Sequence, residues 1–175
     1  MRVELKPHPD TPCSALSRIE VRLSRRDDLI EAIYVAHGDI DKLRLPERVE
    51  SGRADELWKH TCFELFLRTE GGGNYVELNF SPSTQWAGYG FTGYRTGMTN
   101  LDDGPRVSAT ATAASLEVRA TIERAALNDL LSGPLRIGAS AVVEEINGDK
   151  SFWALAHPHG KPDFHHLDCF ALRWG

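Results

Sequence analysis

Two alternating runs separated by glycines constrain this chain more than any other stretch. In 60–68, Phe63, Leu65 and Leu67 are apolar at odd positions; in 75–80, Val76, Leu78 and Phe80 are apolar at even ones. Successive side chains of a strand point to opposite faces, so each run reads as a strand with one face buried. Both apolar sets share a face in an antiparallel pair only if the numbers of paired residues add to an odd value. A two-residue hairpin through Gly71-Gly72 places Glu70 opposite Gly73, a sum of 143, and glycine supplies the positive φ such turns demand. The two requirements agree, and they predict Phe63/Phe80, Leu65/Leu78 and Leu67/Val76 as cross-strand core pairs.

That register sends His60, Cys62, Glu64 and Phe66 to the opposite face, together with Tyr75, Glu77, Asn79 and Ser81; Trp58 joins them if extended geometry reaches back that far. A plainly solvated face mixes charges of both signs, whereas this one carries an aromatic at each end with acids and an amide between. Such a combination suits a sugar or polyol: the C–H face of the ring stacks on an aromatic side chain while the hydroxyls take hydrogen bonds in its plane. Trp58, Tyr75, Trp86 and Tyr94 are the candidate stacking residues, and Glu64, Glu77, Asn79 and Arg95 the candidate polar partners. The plain structural alternative has the tryptophans capping a sheet edge and Glu64 pairing with Arg95 or Lys59. Glu64 and Glu77 also form a candidate acid/base pair. Diagonal cross-strand neighbours have Cβ atoms about 7–8 Å apart, and glycoside hydrolases use carboxyl separations of about 5–9.5 Å.

The rest of the chain follows the same period. Ile19-Val21-Leu23 and Leu116-Val118-Ala120-Ile122 alternate with polar residues, and 29–36, 86–92, 107–112, 137–145, 151–156 and 169–174 are further candidate strands. Turn clusters at 71–74, 102–105 and 147–149 separate them. One short helix is expected over 124–131, stopped by Gly133-Pro134. Strands of this length joined by turns predict an all-β fold, an antiparallel sandwich or barrel. At 175 residues the chain is one domain's worth, 1–175, and buries roughly 70% of its unfolded surface. With 41% hydrophobic and 26% charged residues, it is neither a disordered nor a membrane sequence. A net charge of −5 argues against nucleic-acid binding. No secretory signal pattern is recognisable, so a cytoplasmic protein is expected. Cys13, Cys62 and Cys169 sit at no metal-ligand spacing and read as free thiols.

The tail 157–169 concentrates four of the seven histidines. Imidazoles could hold a metal or haem, but Pro158 and Pro162 mark a loop, and the adjacent His165 and His166 point to opposite sides of an extended chain. We expect no metal and no cofactor here, with His157 and His165 instead bordering the ligand face if the loop folds over it.

Leu57-Trp58-Lys59-His60-Thr61-Cys62-Phe63-Glu64, the run 77–83, Trp86-Ala87-Gly88-Tyr89 and the tail from Phe152 to Phe170 resemble bacterial DOMON-like proteins. These are in turn similar to carbohydrate-binding module family nine. The resemblance spans essentially the whole chain. It implies a jelly-roll-like antiparallel β-sandwich with one concave ligand face, in which Trp58 and Glu64 match the tryptophan and glutamate of the module's sugar site and Arg95 its downstream arginine. The tail around 157–166 departs from the module's pattern. The expected function is a non-catalytic binding domain for a sugar-like small molecule, with a glycoside hydrolase using Glu64 and Glu77, or a metal- or haem-binding domain using 157–166, as the alternatives.

Overall fold

The computed structural model describes residues 1–127, 131 and 133–174. Twelve strands follow in chain order: β1 (Arg2–Pro7), β2 (Leu16–Arg26), β3 (Leu29–Gly38), β4 (Cys62–Thr69), β5 (Tyr75–Phe80), β6 (Trp86–Phe91), β7 (Thr99–Asn100), β8 (Arg106–Ala111), β9 (Ser115–Glu123), β10 (Leu135–Glu144), β11 (Lys150–Ala154) and β12 (Leu172–Trp174). They form two antiparallel layers. One has the order β1-β2-β3-β9-β8; the other is β7-β6-β5-β4-β10-β11, with β12 also on β10. β1 belongs to both, pairing over Arg2–Leu5 with β2 and through Lys6 and Pro7 with β11. The chain is therefore an all-β antiparallel sandwich closed along one side by a shared strand. Neither β1 nor the short β7 was apparent from periodicity.

The core lies between the layers. Ile19, Val21, Leu23 and Tyr34 come from one, and Phe63, Leu65, Leu67, Val76, Leu78 and Phe80 from the other. Phe63, Phe80 and Tyr34 are fully buried and pack their rings together, each worth roughly 1.5–3 kcal/mol of apolar burial. The β4–β5 register is the expected one: Phe63 opposite Phe80, Glu64 opposite Asn79, Leu65 opposite Leu78, Leu67 opposite Val76.

The turn differs from the expectation. Pairing ends at Arg68 and Tyr75, and the Gly72 amide donates to the Thr69 carbonyl. Gly71 alone of the first two glycines has positive φ, 77°. Glu70 does not face Gly73 because its amide is drawn to the Pro134 carbonyl beside it. The predicted helix starts as a 3-10 turn over Arg124–Leu127; its remainder at 128–130 lies outside the described residues. The strand expected over 169–174 shortens to β12, since Leu167–Cys169 is a 3-10 turn. No helix of the described residues is long and apolar enough to cross a membrane.

A second apolar cluster sits on the outer face of the β4–β5–β6–β10 layer. Phe66, Tyr75, Tyr89 and Phe91 from the sheet meet Phe164 and Phe170 from the segment that follows β11. That segment lies over the face, so side chains with solvent-facing parity become buried.

Candidate functional site

A cavity of about 750 Å³ lies between the outer face and its cover, within the usual range for small-molecule pockets of ~300–1,000 Å³. Its floor is the sheet. Glu64 on β4, Glu77 on β5, Tyr89 and Phe91 on β6, Val142 on β10 and Phe152 on β11 line it, and parity puts them all on one side. One wall is the covering segment, through Pro162, Phe164 and His165; another is the stretch before β4, through Asp55, Glu56 and Trp58. Arg95 and Met98, from the connection after β6, complete the lining. Trp58 is half-exposed at the mouth.

The two glutamates are the deepest polar groups of the cavity. Glu64 is 3% exposed and Glu77 6%. The Ser140 hydroxyl donates to Glu64 Oε2 at 3.1 Å, and the Asn79 amide donates to Glu77 Oε1 at 2.7 Å. Burial, then the neighbouring Glu77, pushes the Glu64 carboxyl well above the usual carboxylate range, with Ser140 and Arg95 acting the other way. Burial also raises Glu77, opposed by the Asn79 amide and Arg95. Two raised carboxyls facing one concavity make it a candidate functional site.

His165 sits edge-on against Phe66, Tyr75 and Phe91. Burial, then Arg95, lowers its pKa to about 4, so the ring is neutral at pH 7. The Tyr75 hydroxyl accepts from the Arg95 amide at 3.1 Å and lies 2.7 Å from His165 Nδ1. We assign the hydroxyl proton to that contact, which leaves Nε2–H directed at Glu77 Oε2, 3.5 Å away. Arg95 is held by Asp163 Oδ1 at 2.8 Å, and the Tyr94 hydroxyl donates to the other oxygen of the same carboxylate at 2.5 Å. On the opposite wall the Tyr89 hydroxyl donates to Asp55 at 2.8 Å, and Arg53 pairs with the same carboxylate.

Of the residues expected at the site, Trp58, Glu64, Glu77, Arg95 and His165 line this cavity. Asn79 and Tyr75 lie just behind it and hold Glu77 and His165. Tyr75 and Tyr94 also line an adjoining cavity of about 380 Å³ on the far side of His165. The structure places the other three elsewhere. Trp86 is opposite Phe80 and so points to the inner face, where its ring lies so close to Gly104 that a Cβ there would sit 2.2 Å from it; Tyr89 occupies the outer position instead. His60 precedes the strand and pairs with Glu144 at 2.7 Å. His157 contacts the Lys6 carbonyl and packs on His8. His157 and His165 thus have separate partners, and among the described residues no group of three or more His, Cys, Asp or Glu could hold a metal ion. Trp58 stands on a 3-10 turn, Leu57–Lys59, rather than on an extended strand.

Sequence reasoning missed Tyr89, Phe91, Phe152 and Phe164. The parity that places Glu77 would have found the first two, had the β6 residue opposite Phe80 been known.

No family model and no curated protein matches the chain. Among solved structures it is similar to a protein of Bacteroides uniformis provisionally described as carbohydrate-binding. The TM-score is 0.70 at 14% identity, over 97% of this chain and 83% of that one. Likeness at that identity establishes the β-sandwich fold.

Proposed function

We propose that the protein binds a sugar or polyol in the outer-face cavity without transforming it. The observation that carries this reading is the pairing of buried carboxyls on the floor, Glu64 and Glu77, with aromatic side chains around them and Trp58 at the mouth. The ring of the ligand stacks on Trp58, and its hydroxyls reach Glu64, Glu77, Arg95 and His165. The provisional carbohydrate-binding description of the Bacteroides uniformis fold neighbour supports the same reading.

Titration of tryptophan fluorescence against a panel of neutral, amino and acidic sugars tests it. Binding should quench or shift the emission, and Trp58→Ala should weaken affinity roughly tenfold or more, as for a buried aromatic anchor. Its stability should stay within about 0.5 kcal/mol, as for an exposed side chain. No spectral change with any sugar at millimolar concentration would reject sugar binding.

The contrast between the carboxyls favours glycoside hydrolysis as a second reading. Burial raises both carboxyls, but their contacts differ: Glu77 accepts from the Asn79 amide at 2.7 Å and faces His165 Nε2, which support an anion, whereas Glu64 accepts from the Ser140 hydroxyl at 3.1 Å; environment divides acid and base roles in this way in glycosidases. Turnover of an aryl glycoside that disappears in both Glu64→Gln and Glu77→Gln would select it over simple binding.

A further inference from the structure

We propose that the ligand carries an ammonium group on its hydroxylated ring, which makes an amino sugar the class this cavity fits. The inference rests on the sugar-binding reading and narrows it. Four acids line the cavity, with Arg95 as the one Lys or Arg among the described lining residues. At the rim, Asp55 and Glu56 are already met by Arg53 and Lys59. Arg95 is itself engaged by Asp163. The two deep carboxyls differ from these: among the described residues neither Glu64 nor Glu77 forms an ion pair with a lysine or arginine, and the ring facing Glu77 belongs to His165.

Buried acids without a counter-charge are costly unless something supplies one. A primary ammonium offers three donors, enough for a carboxylate oxygen of each glutamate and one further acceptor. Aromatic rings attract cations through their quadrupoles; Lys59 and Arg53 already sit over the Trp58 and Tyr89 rings, 5.7 and 5.6 Å from their centroids, and Phe152 also lines the cavity. A neutral hexose brings no counter-charge with which the carboxyls could ionise. A uronic acid adds like charge, and an N-acetyl group removes the cation.

Binding should also move a proton. The titratable groups that act on the pair are Cys62, Tyr75, Tyr89, His165 and Arg95 on its own face and Tyr34 from the core behind it. Cys62 and the three tyrosines are raised, Tyr89 to about 12, and His165 is lowered to about 4, so of these groups Arg95 alone is charged at neutral pH. An arriving cation lowers both carboxyl pKa values. The carboxyl O–H ionises, its proton passes to the buffer, and the carboxylate remains paired with the ammonium.

Calorimetric titration of the intact protein at pH 6.5 with glucosamine, glucose, N-acetylglucosamine and putrescine, in two buffers of different ionisation enthalpy, tests this. Glucosamine should bind ~10- to 100-fold tighter than the two neutral sugars, with proton release seen as a buffer-dependent heat. Glu64→Gln and Glu77→Gln, checked for folding by thermal melting, should reduce that preference. Because the ligand comparison uses the unaltered protein, it stands even if a variant fails to fold. Glucose binding as tightly as glucosamine overturns the ammonium inference and leaves sugar binding intact. Putrescine binding without any sugar overturns the sugar reading while keeping the ammonium. No binding by any of the four overturns both.

Discussion

Glu64→Gln should stabilise the ligand-free protein at neutral pH by about 1–3 kcal/mol, because Gln has no proton for the unfolded chain to release, and a pKa higher by one in the folded state is worth about 1.4 kcal/mol. In a chain of this size each kcal/mol raises Tm by ~2–4 °C. The amide keeps an oxygen for the Ser140 hydroxyl and removes the ionisation. Burial, followed by the nearby Glu77, holds the folded-state pKa well above the ordinary value. Unfolded, the same carboxyl gives up its proton near pH ~4.3. Between those two values the folded chain binds more protons than the unfolded one, so stability falls as pH rises through that window. The advantage of Glu64→Gln should therefore be largest at neutral pH and shrink as pH drops towards 4, where the unfolded carboxyl becomes mostly protonated as well. Melting curves of the two proteins from pH 4 to pH 8 measure this, and curves that stay parallel throughout would show that Glu64 titrates as an ordinary surface acid. On the proposed sugar-binding reading, a carboxyl that lowers stability fits the general trade between function and stability.

Gly38→Ala should have the opposite effect, a loss on the order of 3 kcal/mol from overpacking and backbone strain. Gly38 ends β3 at φ 154°, where it faces Leu16 across a register shift between Leu16 and Arg18. A Cβ there would lie 2.1 Å from the Ala15 carbonyl oxygen and 2.7 Å from Leu16 Cα. Both atoms are main chain, and Ala15 is held on its other side by its amide hydrogen bond to Glu145. No side chain can rotate aside to make room. Urea denaturation gives the measurement; a change below about 0.5 kcal/mol, the range of ordinary surface substitutions, would mean that the strand end shifts freely.

The fold was legible where alternation was complete. Phe63, Leu65 and Leu67 against Val76, Leu78 and Phe80 permit one parity, and that parity survives although the turn closes at Thr69–Gly72 rather than through Gly71-Gly72. Glu64, Glu77 and Asn79 were placed together by the same constraint. What alternation could not supply was the cover. Phe66, Tyr75 and Phe91 have outward parity on strands whose outward side is ordinarily wet, and only the passage of 162–170 across them turns that side into a second interior. Phe164 and His165 enter the site from a proline-flanked loop whose path depends on contacts some 70 positions earlier, such as Tyr94 and Arg95 with Asp163. Trp86 and Tyr89 were exchanged for a related reason. The connection 81–85 has no short-turn signature that sets which β6 residue opposes Phe80, and aromatic character alone does not reveal which way a ring faces.

The mixed origin of the cavity divides its properties between two kinds of scaffold. Its floor belongs to strands hydrogen-bonded on both sides, so the spacing of Glu64 and Glu77 is as rigid as the sheet itself. Its rim belongs to loops whose side chains are tied across it by polar contacts at Asp163 and Asp55, contacts that lie outside the strand ladders. On the proposed binding reading, discrimination among guests resides in the rigid half and the rates of entry and escape in the rim contacts, so substitutions should retune residence time and selectivity independently.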